Sequence, residues 1–152
     1  MSAFDNALND DISPLLTGLS ERLRSGTIDG EARRMLDRLR EAFSPALSTH
    51  GEWLSTQLFP ALYESMAGSD AVCIREMESG LREDHRSLAA QWRSLAHLLG
   101  NDALTTDDAR ALSAHIDSLA ELCAGHAAFE RSELFPMAER LLSDDVLARL
   151  HG

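Results

Sequence analysis

Apolar residues recur every three or four positions along four long stretches of the chain, which is the spacing of one face of an α-helix. The spacing is most regular over residues 71–99 and predicts one long helix there. The other stretches predict helices over about residues 3–24, over about residues 29–66 and after Thr105 or Thr106. Short polar connections join the four stretches, so the chain is predicted to be all-α, an up-down antiparallel four-helix bundle.

Prolines interrupt two of these predicted helices. Pro14 lies inside the first stretch, and because proline suits only the first turn of a helix, a start at Asp10 or Asp11 is favoured. Pro45 and Pro60 lie inside the second stretch, where they predict a kink or fraying.

Length and composition agree with the helical pattern. The 152 residues are a common size for one domain, and a single domain is predicted over residues 1–152. The chain is 44% hydrophobic and only 5% aromatic, a composition that suits helices better than sheets. A short C-terminal helix is predicted over residues 144–150, on the outside of the bundle.

Charge and motif content exclude several classes of function. The net charge of -11, without a cluster of Lys and Arg, argues against nucleic-acid binding. No apolar stretch approaches the roughly 20 residues that span a bilayer, and no basic n-region opens the chain, so a cytoplasmic protein is predicted. Cys73 and Cys123 show no metal-knuckle spacing and are predicted to be small buried residues. Hydrolase, kinase and dehydrogenase motifs are missing from the sequence, and an enzyme is not favoured.

An internal repeat links two distant segments. "GHAAFERSELFP" at residues 125–136 and "THGEWLSTQLFP" at residues 49–60 both contain a histidine eight residues before Leu-Phe-Pro. The residue four after the histidine is Glu130 in the later segment and Leu54 in the earlier one. The two segments therefore differ at one chemically important position.

The repeat extends to the helix that precedes each segment. "LNDDISPLL" from Leu8 aligns with "LREDHRSLA" from Leu81, which places Ile12 opposite His85. The chain is thus predicted to consist of two helix pairs, over about residues 8–66 and 71–142.

Polar side chains interrupt the apolar face of three predicted helices. His85 and the pair His126 and Glu130, four residues apart, fall on such faces, and so does His50. Burying such groups without partners is costly. Either they hydrogen-bond one another, or they bind a metal ion such as iron, zinc or manganese. Three histidines and a glutamate from three helices favour the metal.

The motif H-x-x-x-E-x-x-x-L-F-P, preceded by a histidine on the previous helix, resembles the hemerythrin-like HHE cation-binding domain. The resemblance covers about residues 8–142 and is most specific at His126, Glu130 and residues 134–136. It implies an up-down four-helix bundle around a non-haem di-iron centre. Each half of such a domain supplies a histidine from one helix, then a histidine and a bridging carboxylate from the next.

Carried over residue by residue, the resemblance keeps the second half intact, with His85, His126 and Glu130. The first half keeps only His50, because Ile12 and Leu54 stand at its other two positions. One mononuclear iron held by His50, His85, His126 and Glu130 is therefore favoured over a di-iron centre, and zinc is the alternative. A further alternative is a site that has lost its metal.

These residues lead to three hypotheses about function. The favoured one is metal binding or sensing of O2, NO or redox state. The second is a metal-free bundle that serves as a structural or regulatory interaction module, with a protein partner that the sequence does not indicate. An oxygen- or peroxide-activating enzyme ranks last, because the second metal is missing from the pattern.

Other polar residues near the predicted site are assigned ordinary roles. Glu133 is expected in solvent at the rim, although a role in orienting a metal ligand stays open. Asp10 and Asp11 are expected to cap the first helix, with a role in the site also open. His115 is predicted to be a core or partly exposed residue, and His97 falls off the apolar face.

Overall fold

The computed structural model describes Phe4 and residues 6–65, 71–100 and 106–151. Within these ranges the structure is helical without a strand, which confirms the all-α prediction. The α-helices described are α1 (Ser13–Leu23), α2 (Gly30–Trp53), α3 (Phe59–Ser65), α4 (Ala71–Leu99), α5 (Thr106–Phe129), α6 (Phe135–Leu141) and α7 (Asp144–His151). One π-helical turn precedes each of α1, α3 and α6, at Leu8–Ile12, Leu54–Leu58 and Glu130–Leu134.

The helices form a four-membered bundle. The π turns join α2 to α3 and α5 to α6 without a break, so the four members are α1, α2–α3, α4 and α5–α6. The first member packs against α2 and α5, and α4 packs against the same two. Each member therefore has two neighbours, as at the corners of a square.

Buried apolar residues form two clusters, one towards each end of the bundle. The first, the α1-end cluster, combines the later part of α1 and of α4 with the earlier part of α2 and of α5. The second, the tail-end cluster, contains Leu54, Leu58 and Leu62 from one bundle member and Leu134 and Ala138 from another. Because early and late parts alternate from helix to helix, consecutive bundle members run in opposite directions.

One residue separates the end of each π turn from a proline. The amides of Ser13, Phe59 and Phe135 donate to the carbonyls five residues earlier, and Pro14, Pro60 and Pro136 follow. Proline removes the next α-helical hydrogen bond and its ring crowds the preceding turn. A widened turn at this point accommodates both effects. The predicted disturbance at Pro60 is thus a π turn, whereas α2 continues through Pro45.

The first member of the bundle begins before the predicted Asp10 or Asp11. The π turn starts at Leu8, and the backbone amide of Asn9 donates to the side-chain oxygen of Asn6 at 3.0 Å. The predicted capping role of Asp10 and Asp11 is therefore wrong, since both lie within the turn and are exposed. Asn6 takes that role because its side chain reaches a free amide of the first turn.

The C-terminal helix α7 packs on the outside, as predicted. Val146, Leu147 and Leu150 are partly buried against the tail-end cluster, and the indole of Trp53 donates to the carbonyl of Leu150 at 3.4 Å. Across the described ranges, no helix combines the length and the apolar character needed to cross a membrane.

The two cysteines differ in their surroundings. Cys123 is buried, as predicted, and burial raises the pKa of its thiol to about 12. Cys73 is exposed, so the prediction that both are buried is wrong for this residue. It lies in the first turn of α4, one residue before the buried Ile74, on the side of the helix that faces solvent.

Candidate metal centre

Three imidazoles from three helices meet between the two apolar clusters. His50 lies near the end of α2, His85 in the middle of α4, and His126 near the end of α5. One nitrogen from each ring lies within 4.8 Å of the others, a spacing that could hold a metal ion. The ring centroids are 5.7 Å apart for His50 and His85, and 4.9 Å apart for His85 and His126.

A carboxylate completes this polar layer. Glu130 is the first residue of the third π turn and has no exposed surface. Its Oε1 and Oε2 both lie 2.9 Å from Nε2 of His50. Its Oε1 also lies 2.6 Å from Nε2 of His126. The structure therefore brings together all four residues that the sequence singled out: His50, His85, His126 and Glu130.

The polar layer is not fully satisfied by hydrogen bonds. Within the part of the chain that the structure describes, four buried ring nitrogens have no hydrogen-bond partner: His50 Nδ1, His85 Nε2, His126 Nδ1 and His126 Nε2. The short contact between His126 and Glu130 is close but poorly directed for a hydrogen bond. Buried polar atoms are usually paired, so this concentration of unpaired nitrogens needs an explanation. A shared cation would take a lone pair from one nitrogen of each ring.

The layer also shifts the acidity of its members. Burial by itself would raise the pKa of Glu130, but the close contacts from His126 and His50 outweigh it and hold that pKa at about 2. Burial lowers the pKa of His85 to about 4, and positive charge on His126 and His50 acts in the same direction. At neutral pH the layer thus contains a carboxylate beside a neutral His85, which are the protonation states that metal ligands need.

Two further residues, which the sequence did not predict, reach the polar layer. The side-chain amide of Asn9 donates to Oε1 of Glu130 at 3.3 Å. The carboxylate of Asp84 lies 3.8 Å from Nδ1 of His126, on the opposite side of that ring from Glu130. Asp84 directly precedes His85 but lies off the apolar face of the predicted helix, so the spacing of apolar residues does not indicate it. Asn9 was missed because the first helix was expected to start after it.

One member of the layer is open to the surface. His85 is half-buried, whereas His50 and His126 are each 2% exposed. A cleft of about 240 Å³ between α2–α3 and α4 ends at His85. Leu54, Phe59 and Leu81 supply its apolar walls, and Arg82 lines it as a charged residue.

The geometry agrees with a sequence comparison. The profile of the hemerythrin HHE cation binding domain matches residues 6–138. The chain belongs to this family. No curated protein and no solved structure shows a significant match to the chain.

The hemerythrin-like bundle has an incomplete first half. Ile12 and Leu54, which occupy the positions of a histidine and a carboxylate in the repeat, are 1% and 4% exposed and pack within the apolar clusters. The first half therefore offers a metal only His50. Imidazole nitrogens and a carboxylate oxygen are donors that transition-metal ions accept.

The remaining candidates lie away from the hemerythrin-like centre. Glu133 and its counterpart Gln57 are exposed, which agrees with the expected rim position of Glu133. His115 is half-buried and His97 is exposed, as predicted. Trp53, by contrast, borders the centre: its ring centroid lies 6.0 Å from that of His50, and it packs against the tail-end cluster.

Proposed function

We propose that this hemerythrin-like protein binds one transition-metal ion in the polar layer, held by His50, His85, His126 and Glu130. Non-haem iron is the favoured ion and zinc the alternative. The observation that carries the proposal is the convergence of three imidazoles from three helices, with four buried ring nitrogens left unpaired. Membership of a cation-binding family supports the same conclusion.

Charge supports a cation at this position. Glu130 is completely buried, and its low pKa keeps it ionised at neutral pH. A buried negative charge needs compensation. A divalent ion would supply the opposite charge and at the same time take up the ring nitrogens.

The chemistry of the proposed site is binding or sensing of a small ligand rather than multi-electron catalysis. An iron ion with four protein ligands would offer an open coordination position to O2 or NO. The protein contributes a dry environment, because the α1-end and tail-end clusters enclose the layer from both sides. The cleft that ends at His85 gives a small ligand a way in from solvent.

Elemental analysis of the purified protein tests the proposal directly. Expression in iron-supplemented medium is expected to give close to one equivalent of iron per chain, or of zinc where iron is withheld. His126→Ala is expected to lose the metal, since it removes one of the four proposed ligands. His97→Ala, an exposed histidine in the last turn of α4, is the matched control and should keep the metal. A protein that neither contains nor takes up a first-row metal would end the proposal.

A second candidate function is a metal-free interaction module. It is favoured by one observation, namely that Glu130 already accepts hydrogen bonds from His50 and Asn9. Under this hypothesis, replacing His85, His126 and Glu130 together by leucine leaves the melting temperature unchanged or raised, because apolar residues often substitute well for buried polar clusters. A large fall in melting temperature, without any dependence on metal, would count against it.

We also propose a cytoplasmic location. The exposed, unpaired thiol of Cys73 supports it, because such thiols persist in reducing compartments. Localisation of a tagged protein by cell fractionation tests this proposal.

A further inference from the structure

Gly51 lies directly against the ring of His85. A methyl group built on Gly51 would stand 2.9 Å from Nδ1 and 3.3 Å from Cε1 of that imidazole. A carbon atom at 2.9 Å from a ring atom is closer than van der Waals contact allows. A methyl group at residue 51 would therefore displace the His85 ring from its present position.

We infer that Gly51 is a positioning residue. Because it has no side chain, it leaves a space, called the seat below, that the His85 imidazole occupies in the polar layer. The consequence for metal affinity rests on the proposed function, whereas the seat itself does not. Gly51 follows His50 directly in α2, so the same turn of helix supplies one imidazole to the layer and receives another from α4.

The internal repeat supplies a natural comparison. The residue that aligns with Gly51 in the second half is Ala127, and the residue that aligns with His85 is Ile12. The first half thus combines Gly51 with Ile12, and the second half combines Ala127 with His85. Glycine is found where the helix faces the histidine of the other half. A helix interior normally prefers alanine to glycine, so the glycine requires a reason specific to its position.

A side chain at residue 51 would push the His85 ring in one of two directions. It can shift towards His126, whose ring centroid is 4.9 Å away, or outwards into the cleft beside α4. Metal sites need ligands held within about 0.5 Å of the productive geometry. Either shift would therefore weaken a site that uses His85.

Two other glycines provide matched controls. Gly125, which directly precedes His126 in α5, and Gly80, in α4, both have open space where a side chain would stand. Alanine at either position is expected to raise the melting temperature by about 1 to 4 °C, because it restricts the unfolded chain and favours the helix. Neither substitution should disturb the ligands.

The experiment compares Gly51→Ala with Gly125→Ala and Gly80→Ala. Zinc affinity is measured by competition with a chelator, and the His85 ring is followed by NMR in the metal-free protein. Gly51→Ala is expected to weaken zinc binding by at least about tenfold. It should also shift the ring signals of His85, while the controls match the original protein in both measurements. A thermal melt of each metal-free variant shows that the bundle still folds.

The outcomes separate this inference from the proposed function. Equal zinc affinity and unchanged His85 signals in Gly51→Ala would overturn the inference. If no variant binds zinc or iron, the proposed function fails, but the NMR comparison still decides whether Gly51 seats the ring. Gly51→Val extends the series, and a larger displacement of His85 than in Gly51→Ala is expected.

Discussion

The two helix pairs of this bundle share a backbone and differ in chemistry. In both, a buried histidine is followed four residues later by the first residue of a π turn, and the leucine of Leu-Phe-Pro ends that turn. In the second pair the first residue of the turn is Glu130, which contacts two imidazoles. In the first pair it is Leu54, which packs in the tail-end cluster.

The comparison shows that the widened turn does not depend on the carboxylate. π turns are often found at functional sites, and Glu130 alone would suggest that the turn exists to aim a ligand. Leu54 lies at the start of the same turn and is apolar. The turn is therefore independent of the carboxylate, and the chemistry is decided by one side chain within it.

Completing the first half is expected to have the largest effect, which is the gain of a second ion. Ile12→His combined with Leu54→Glu gives the first half the residues of the second. Metal content after reconstitution should rise from about one to about two ions per chain, since each half would supply two imidazoles and a carboxylate. Ile12→Leu with Leu54→Met serves as the apolar control. A content that stays at one ion or falls would show that the alignment of Ile12 with His85 is wrong.

The reverse change, Glu130→Leu, gives the second half the residue of the first. It removes the carboxylate that lies within 2.9 Å of two imidazoles, and metal affinity is expected to fall by at least about a hundredfold. Chelator competition measures the change. Glu133→Leu, an exposed residue in the same π turn, is the control and should leave the affinity unaltered. Similar losses in the two variants would argue that the turn, not the carboxylate, matters.

The third prediction uses the difference between His85 and Ile12 in their response to pH. Burial, together with positive charge on His126 and His50, lowers the pKa of His85 to about 4 in the folded protein. The unfolded chain therefore binds this proton first as pH falls, and stability that is present above about pH 6.5 is lost below it. The metal-free protein should lose about 2 kcal/mol of unfolding free energy between pH 7 and 4.5 from this group.

Urea unfolding at several pH values measures this loss. His85→Leu, which resembles the first half at this position, is expected to show a correspondingly shallower dependence. A variant with the same slope as the original protein would assign the loss to other groups.

The smallest expected effect concerns Asn9 and its counterpart in the repeat, Arg82. Asn9 donates to a buried carboxylate, so Asn9→Ala should lower the unfolding free energy by about 1 kcal/mol. The exposed Arg82 forms a pair with the half-buried Glu78, with Nη2 3.5 Å from Oε2, and Arg82→Ala should cost less than about 0.5 kcal/mol. Chemical denaturation at neutral pH compares the two. Equal losses of unfolding free energy would show that the hydrogen bond from Asn9 stabilises the protein no more than the ion pair of Arg82 does.

Much of the fold followed from the spacing of apolar residues. The third predicted helix, over residues 71–99, coincides with α4, because no proline disturbs its apolar stripe. The convergence of His50, His85, His126 and Glu130 also followed from that spacing, since inward positions of neighbouring helices must meet. The same logic failed for Cys73, which lies just outside a buried position at the first turn of α4.

Other features depend on three-dimensional detail that one-dimensional spacing does not contain. The role of Asn9 depends on where the first bundle member starts, and Pro14 predicted a start after Asn9. The seat at Gly51 depends on the closeness of two helices, which the sequence does not specify. The prolines indicated a disturbance at Pro60, but not that the backbone would resolve it as a π turn.

The π turns also explain an irregular rhythm in the buried positions. Most apolar stripes alternate steps of three and four, yet each turn is crossed by three consecutive steps of four, and all members of these runs are buried: Phe4, Leu8, Ile12 and Leu16; His50, Leu54, Leu58 and Leu62; His126, Glu130, Leu134 and Ala138. In a regular α-helix, twelve residues would leave the last side chain about 120° away from the first. One extra residue taken up by the widened turn reduces this difference to about 20°.

Each π turn thus corrects the angular position of the side chains, so that both parts of one bundle member face the same core. The buried stripe of α4 contains no such run and needs no correction. The polar layer lies beside these π turns. A rotation by one residue at the turn after His126 would carry Glu130 and the residues that follow it away from the imidazoles.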